Sequence, residues 1–351
     1  MAHRRRDQVP SARLAALALA AVVVAVAGCG QAAGRSSAAT PQALHGAAAS
    51  SSPAGGHGVS PASARWATGA PLPVAVSEVG VASLGGQVHV LGGYVAGKAH
   101  SRTHLVYDVA SGRWRRAAPL PVALDHVGAA VVGSGASARL LSIGGYGSAG
   151  PTRAVYAYDA TTDAWSVRAS LPVARAAGVA VTVSGLVHYI GGRGSQGDTG
   201  EHDIYDPARD RWSVATPMPT ARDHAAAAAI GNIIYVAAGR PGGKRTLESL
   251  DVRSGRWTTG LPPLGRGRSS LAGAAWRGLF VVMGGEDAAE TTVYSDVDAY
   301  DPSRRTWTRL QALPAGRQGI GAAVVGSVLL LPGGGPAAGG GKQTDTLLEL
   351  R

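Results

Sequence analysis

The chain has 351 residues, a formal charge of +11, 51 glycines, 20 prolines and one cysteine, Cys29, which excludes a disulfide within the monomer. A basic balance draws acidic partners or nucleic acid. The only run of basic residues is Arg4–Arg6, near the N-terminus, and no nucleic-acid fold is recognisable, so no nucleic-acid partner is expected. Phenylalanine occurs once, at Phe280, which leaves packing to small residues and tryptophan; the bias to arginine and alanine is of the kind a GC-rich genome produces.

In chain order, Met1–Arg13 is basic and Leu14–Ala27 is apolar, followed by Val26-Ala27-Gly28-Cys29. This is the form of a secretory signal, residues 1–28; the apolar run is short of the ~20 residues of a spanning helix. The residues around Cys29 resemble a bacterial lipoprotein box. That resemblance implies a lipid-modified Cys29 as the new N-terminus and an extracytoplasmic, membrane-anchored protein. Loss of 1–28 removes four arginines and one aspartate and lowers the charge to about +8. Residues 29–64 are rich in Ala, Ser, Gly and Pro with few charges and read as a flexible tether. His45 and His57 are solvated linker residues there.

From residue 65 to 351 a pattern recurs six times. Gly92-Gly93, Gly144-Gly145, Gly191-Gly192, Ala238-Gly239, Gly284-Gly285 and Gly333-Gly334 each end an apolar run, at spacings of roughly 46–52 residues. Acid dipeptides follow at Tyr107-Asp108, Tyr158-Asp159, Tyr205-Asp206, Leu250-Asp251, Tyr300-Asp301 and, weakly, Leu348-Glu349. Trp114, Trp165, Trp212, Trp257 and Trp307 stand beyond them, and a Leu-Pro or Met-Pro pair comes next. Each unit reads as four short strands: in the third, 179–183, 186–190, 203–205 and 212–214.

This order of glycine pair, Tyr-Asp, Trp and Leu-Pro resembles the kelch-repeat family. The resemblance implies an all-β, six-bladed β-propeller of four-stranded blades. The last unit has inner strands at 321–325 and 328–331 and a third strand at 344–350, but the chain stops before its tryptophan. Trp66 has no strands before it. Both facts are explained if residues 65–67 supply the outer strand of the last blade, closing the ring and removing its open edges.

In such a ring the loops before the first strands and after the glycine pairs share one face. Register places Val76, Leu124, Arg175, Arg222, Arg268 and Arg317 at one position, and Glu78, His126, Ala177, His224, Ser270 and Gly319 two residues on. Tyr94, Tyr146, Arg193, Arg240, Glu286 and Gly335 follow the glycine pairs. The arginines match a recurrent kelch arginine, which either braces loops through backbone carbonyls or faces the channel mouth and binds an anion through its planar fork. The candidate ligand face is therefore Glu78, His126, Arg175, His224, Arg222, Arg268, Arg317, Arg193, Arg240 and Glu286, basic on blades three and four and acidic on blade five. Replacing Arg222 and Arg268 is expected to weaken an anionic ligand tenfold.

No catalytic set, cofactor or metal site is expected. His89 and His188 share a strand position with Tyr235 and read as packing. His100 and His104 read as one loop with too few ligands for a metal. Asp296, Asp298 and Asp301 lack the glycine and glutamate of a calcium loop, and Gly339–Gly341 lacks the following Lys-Ser/Thr of a P-loop. A galactose-oxidase-type copper site needs a cysteine inside the propeller, where there is none. The expected function is a monomeric envelope binding module. It would be held to membrane lipid through Cys29 and take an anionic small molecule, a glycan or an acidic protein loop. The alternative is a carbohydrate-active enzyme resembling the kelch-type sialate mutarotases, with Glu78, His126, Asp223 and His224 as proton donors and acceptors.

Overall fold

The computed structural model describes residues 63–351; the signal at 1–28, Cys29, His45, His57 and the tether up to residue 62 lie outside the described residues. Six antiparallel four-stranded sheets form the blades of a β-propeller. In the third blade Val179–Val183, Leu186–Ile190, His202–Asp206 and Arg211–Ala215 pair in sequence order. The same order holds in the first, second, fourth and fifth blades. Among the described residues no helix is long and apolar enough to cross a membrane.

The first strands crowd one another around the axis, and their composition follows from that. A Cβ on Gly80 would lie 2.9 Å from the Val127 carbonyl oxygen, and one on Gly273 would lie 2.9 Å from the Ala227 nitrogen. Only glycine and alanine fit where strands such as Ala226–Ile230 and Ala272–Trp276 press together. The alanine load of this region therefore has a packing cause besides codon bias.

Farther out, apolar layers between blades carry the stability. Tyr107, Tyr158, Tyr205 and Tyr300 are buried, each opposite the tryptophan of its own fourth strand, with ring centroids 4.9–5.2 Å apart. Each indole Nε1 then donates to a carbonyl leading out of the preceding blade. Trp114 reaches Ala70, Trp165 Ala118 and Trp212 Ala169, each at 2.8 Å; Trp257 reaches Thr216 at 3.0 Å and Trp307 Pro262 at 2.8 Å. The tryptophan thus combines apolar area with one satisfied donor.

The sixth blade is built from both ends of the domain. Ala323–Val325, Val328–Pro332 and Leu347–Leu350 pair in order, and Trp66–Thr68 completes the sheet, with Trp66 opposite Leu350 and Thr68 opposite Leu348. Boundaries and register differ from the sequence reading: the outer strand is 66–68 and not 65–67, and the first strand starts at Ala323 and not Gly321. The third strand starts at Leu347, since the Thr344 carbonyl is already taken by the Val76 N–H. The repeat tyrosine's equivalent is Leu350, not Leu348, because elsewhere the tyrosine faces the tryptophan, as Tyr205 faces Trp212. Glu349 instead accepts a hydrogen bond from the Tyr107 hydroxyl at 3.0 Å.

Candidate functional site

The chain enters each first strand through a residue in the left-handed region. Glu78, His126, Ala177, His224, Ser270 and Gly319 have φ between 48° and 61°. Five of these carry a Cβ, at a cost on the order of 1 kcal/mol each. A closed circle of backbone hydrogen bonds holds them there. His126 N–H donates to Glu78, Ala177 to His126, His224 to Ala177, Ser270 to His224, Gly319 to Ser270 and Glu78 to Gly319, at 2.7 to 3.0 Å. These six residues line the mouth of the channel.

A second circle surrounds it. Tyr94, Tyr146, Arg193, Arg240, Glu286 and Gly335 bridge Ser77, Asp125, Ala176, Asp223, Ser269 and Gln318, each the neighbour of a rim residue. The two register positions of the sequence therefore share one face.

Glu78, His126 and His224 come together at this mouth, and one ligand-type atom from each lies within 4.8 Å of the other two. His126 Nε2 is 3.2 Å from a Glu78 carboxylate oxygen. Its Nδ1 is paired with Asp125, whose other oxygen is paired with His100. Burial opposes charge on His126, but Glu78 and Asp125 outweigh it and hold its pKa above the ordinary histidine value. His224 Nδ1 stands 3.0 Å from Asp223 without the alignment of a hydrogen bond. Burial would raise the Asp223 carboxyl; His224, with Arg240 and Arg193 beyond, holds it below the usual range. The His126 ring meets Tyr94, Tyr146 and His224 edge-on at centroid separations of 5.5, 5.4 and 4.8 Å. Burial, then Asp125 and Glu78, push the Tyr94 hydroxyl up to about 12.

The arginines of the preceding register lie elsewhere. Arg175, Arg222, Arg268 and Arg317 are buried. Their main-chain carbonyls accept the N–H of Gly145, Gly192, Gly239 and Gly285 from the preceding blade. Their guanidiniums turn into their own blades. Arg175 pairs with Glu201 and with Asp203 at 2.7 Å; Arg222 pairs with Glu248 at 2.8 Å and Arg268 with Asp298 at 2.5 Å. Arg317 donates to the Gly333 carbonyl at 2.9 Å, and burial lowers its pKa to about 10. Of the two roles open to these arginines, the bracing one is what the geometry displays. None lines the mouth, because an acid or carbonyl on the same blade claims each fork.

Arg193 is half-exposed and pairs with Asp198 at 2.8 Å. Arg240 meets Glu286 at 2.5 Å and Glu290 at 3.0 Å, so the basic and acidic sides of the face touch at blades four and five. Glu286 is fully buried and also accepts from Ser270 and the Gly339 N–H. His104 does not lie in a loop. It opens the strand His104–Asp108 and lies 2.9 Å from His89, as His202 lies 2.8 Å from His188. The contributions of Asp125 and His100 to the mouth were missed, although Asp125-His126 and Asp223-His224 repeat in register.

A Kelch motif family model matches residues 267–314, a span that takes in the fifth blade. The Kelch-like protein terF of Aspergillus terreus is 29% identical over 96 residues, 27% of this chain. The chain spans only 21% of that relative's length. The solved structure titled "Structure of YjhT" superposes with a TM-score of 0.67 at 19% identity, covering 80% of this chain and 96% of that one. That likeness shows the fold alone. The motif match and the kelch-like relative support a kelch-repeat family.

Proposed function

We propose that this protein is a binding module of the cell envelope, anchored to membrane lipid through Cys29 on the extracytoplasmic side. It takes its partner at the channel mouth. Kelch propellers generally bind proteins or small ligands, and fold alone does not choose among them. The observation that carries the reading is the convergence of Glu78, His126 and His224 on the mouth, backed by Asp125 and Asp223. The flanking Arg193 and Arg240 add positive charge beside the mouth, which suits an acidic group.

Size narrows the partner. The cavity at the mouth holds about 90 Å³, against roughly 300–1,000 Å³ for sites that enclose small-molecule ligands. It admits a side-chain tip, a carboxylate or an ion, and does not enclose a sugar ring. An acidic protein loop inserting one residue is therefore favoured over a glycan. Nothing in the comparisons favours the epimerase alternative.

The test is photocrosslinking in the cells that make the protein. A benzophenone amino acid at Ala177, on the rim, should yield a discrete adduct. The same probe at Val167, 73% exposed on an outer strand, should not. Adducts from Val167 alone, or none from Ala177, would refute the mouth as the binding face.

A further inference from the structure

We propose that Glu78, His126 and His224 form a site for one divalent transition-metal cation of the zinc type, with an open coordination position facing the channel mouth. The inference deepens the channel-mouth reading and takes its location from it.

Donor chemistry comes first. Two imidazoles and one carboxylate make a three-ligand set of the kind that binds zinc while leaving a fourth position free. A tetrahedral ion with bonds of about 2.0–2.1 Å needs ligand atoms about 3.3 Å apart. His126 Nε2 and the Glu78 oxygen already stand at 3.2 Å. The third atom lies within 4.8 Å of both, so His224 closes by a shift on the order of 1.5 Å.

The outer contacts point the same way. A metal-binding histidine usually gives its other ring nitrogen to a carboxylate, which fixes the tautomer and aims the free nitrogen. Asp125 does this for His126 Nδ1, and Asp223 lies 3.0 Å from His224 Nδ1. In each case that leaves Nε2 as the nitrogen available to a metal. The Asp–His dipeptide occurs twice in the same register, on blades two and four.

Charge supplies the driving force. Glu78, Asp125 and Asp223 are each less than 9% exposed, and the facing Nδ1 of His224 and Oδ1 of Asp223 make no aligned hydrogen bond. Buried acids need a compensating cation. Arg240 and Arg193 reach this cluster only from its periphery, where each is held by acids of its own. The backbone adds pre-organisation, because all three ligand residues are locked at positive φ by the closed hydrogen-bond circle. A cavity of about 90 Å³ accommodates an ion with a few waters. The free position would then accept the carboxylate of an inserted acidic side chain.

The test uses the full chain, stripped with a chelator and titrated with zinc chloride against a fluorescent competitor. One equivalent should bind with a dissociation constant below about 1 μM, and a hundredfold excess of calcium should not displace it. Glu78→Gln and His224→Gln should each weaken that binding at least tenfold, and Asp223→Asn tenfold or more by releasing the ring it positions. Cobalt(II) should give the intense visible bands of a tetrahedral site, lost in His224→Gln. Those bands distinguish this site from histidines in the tether, and thermal melting with and without zinc covers any variant that folds poorly. Binding weaker than about 100 μM, or binding unchanged by Glu78→Gln and His224→Gln, would show a plain ion pair between His126 and Glu78 and overturn the proposal. No partner enters this titration, so its failure removes the cation site and leaves the binding-face reading to its own crosslinking test.

Discussion

The Trp66 indole donates to the Gln311 carbonyl at 3.0 Å, while the Gln311 side chain accepts the Trp66 backbone N–H at 3.1 Å. These two residues, 245 apart in sequence, repeat the contact made by the other five repeat tryptophans and so finish the ring. Trp66→Ala removes a half-buried aromatic face and this donor and should cost about 2 kcal/mol, read as a lower urea midpoint. Deleting the chain through Thr68 should do more. It bares the edge of Leu347–Leu350, and concentration-dependent aggregation by light scattering is the expected result. A truncated chain that stays monomeric at unchanged stability would mean that the sixth blade does not need its outer strand.

The glycine pairs answer a steric demand that one substitution can measure. Gly192 has φ +99°, and a Cβ there would sit 2.7 Å from the Ala176 carbonyl oxygen. Gly185 has φ +80° with open space around it. Gly192→Ala should therefore lose more than about 3 kcal/mol, and Gly185→Ala about 1–2 kcal/mol. Equal losses in urea unfolding would show that dihedral strain alone, and not the close approach, keeps the glycine.

Arg222 turns its guanidinium into its own blade and away from the mouth. Its guanidinium is buried 2.8 Å from Glu248, which is itself 1% exposed. Arg222→Ala leaves a buried carboxylate without its partner and should cost about 3–5 kcal/mol. The chain contains its own control. Blade one has Val76 and Leu105 at the two equivalent positions, and blade two has Leu124 and Tyr156. The double change R222L/E248Y should therefore recover most of the loss. Recovery no better than the single variant would show that the pair does more than satisfy itself.

The fold was legible because its signals are backbone signals. Gly191-Gly192, Tyr205-Asp206 and Trp212 mark a turn, a strand and an inter-blade lock, and each recurs with the backbone it serves. The same register put Glu78, His126 and His224 on one ring. Side-chain direction was the harder part. Arg175 and Asp203 are far apart in sequence, and only strand pairing brings them together. Yet a sequence signal existed: blades three, four and five carry arginine and acid at both positions, whereas blades one and two carry neither. The last repeat was misaligned at Leu348-Glu349 because its tryptophan, which sets the register, lies at the other end of the domain. His104 looked like a loop residue because the short Ala99–His100 strand hides where the third strand begins.

Membrane attachment is a separate question from the propeller. If Cys29 carries the lipid, Cys29→Ala should move the protein from the membrane pellet to the aqueous fraction on detergent phase separation, with the propeller's melting behaviour unchanged. Durable anchoring needs more than one acyl chain, so partial release by high salt is not expected of the wild type. A Cys29→Ala protein that stays in the pellet would assign retention to the uncleaved apolar run 14–27 or to the binding face.

Acid should destabilise the propeller before it titrates most carboxylates. Burial holds His89 down to about 3 and His104 and His188 to about 4, and it lowers His202 as well. In the unfolded chain these rings titrate near 6.5. Above that value both states are neutral there and the pairs have no effect on pH dependence. Below it the unfolded chain takes up protons that the folded pairs refuse, so stability falls as pH drops from about 6.5 towards 4, by up to about 1.4 kcal/mol per pH unit for each ring. His126 has the opposite sign. Its raised value adds stability that is fully present below about pH 6.5 and is lost as pH rises through its folded value. Below pH 6.5 the His126 contribution is constant, so the four lowered rings alone set the slope and the urea midpoint should decline steadily between pH 6.5 and 5. The variant H188Y/H202L, which copies Tyr235 and Leu247 of the fourth blade, should flatten that decline. A midpoint independent of pH over this range would mean that the buried pairs accept protons as readily as free histidine.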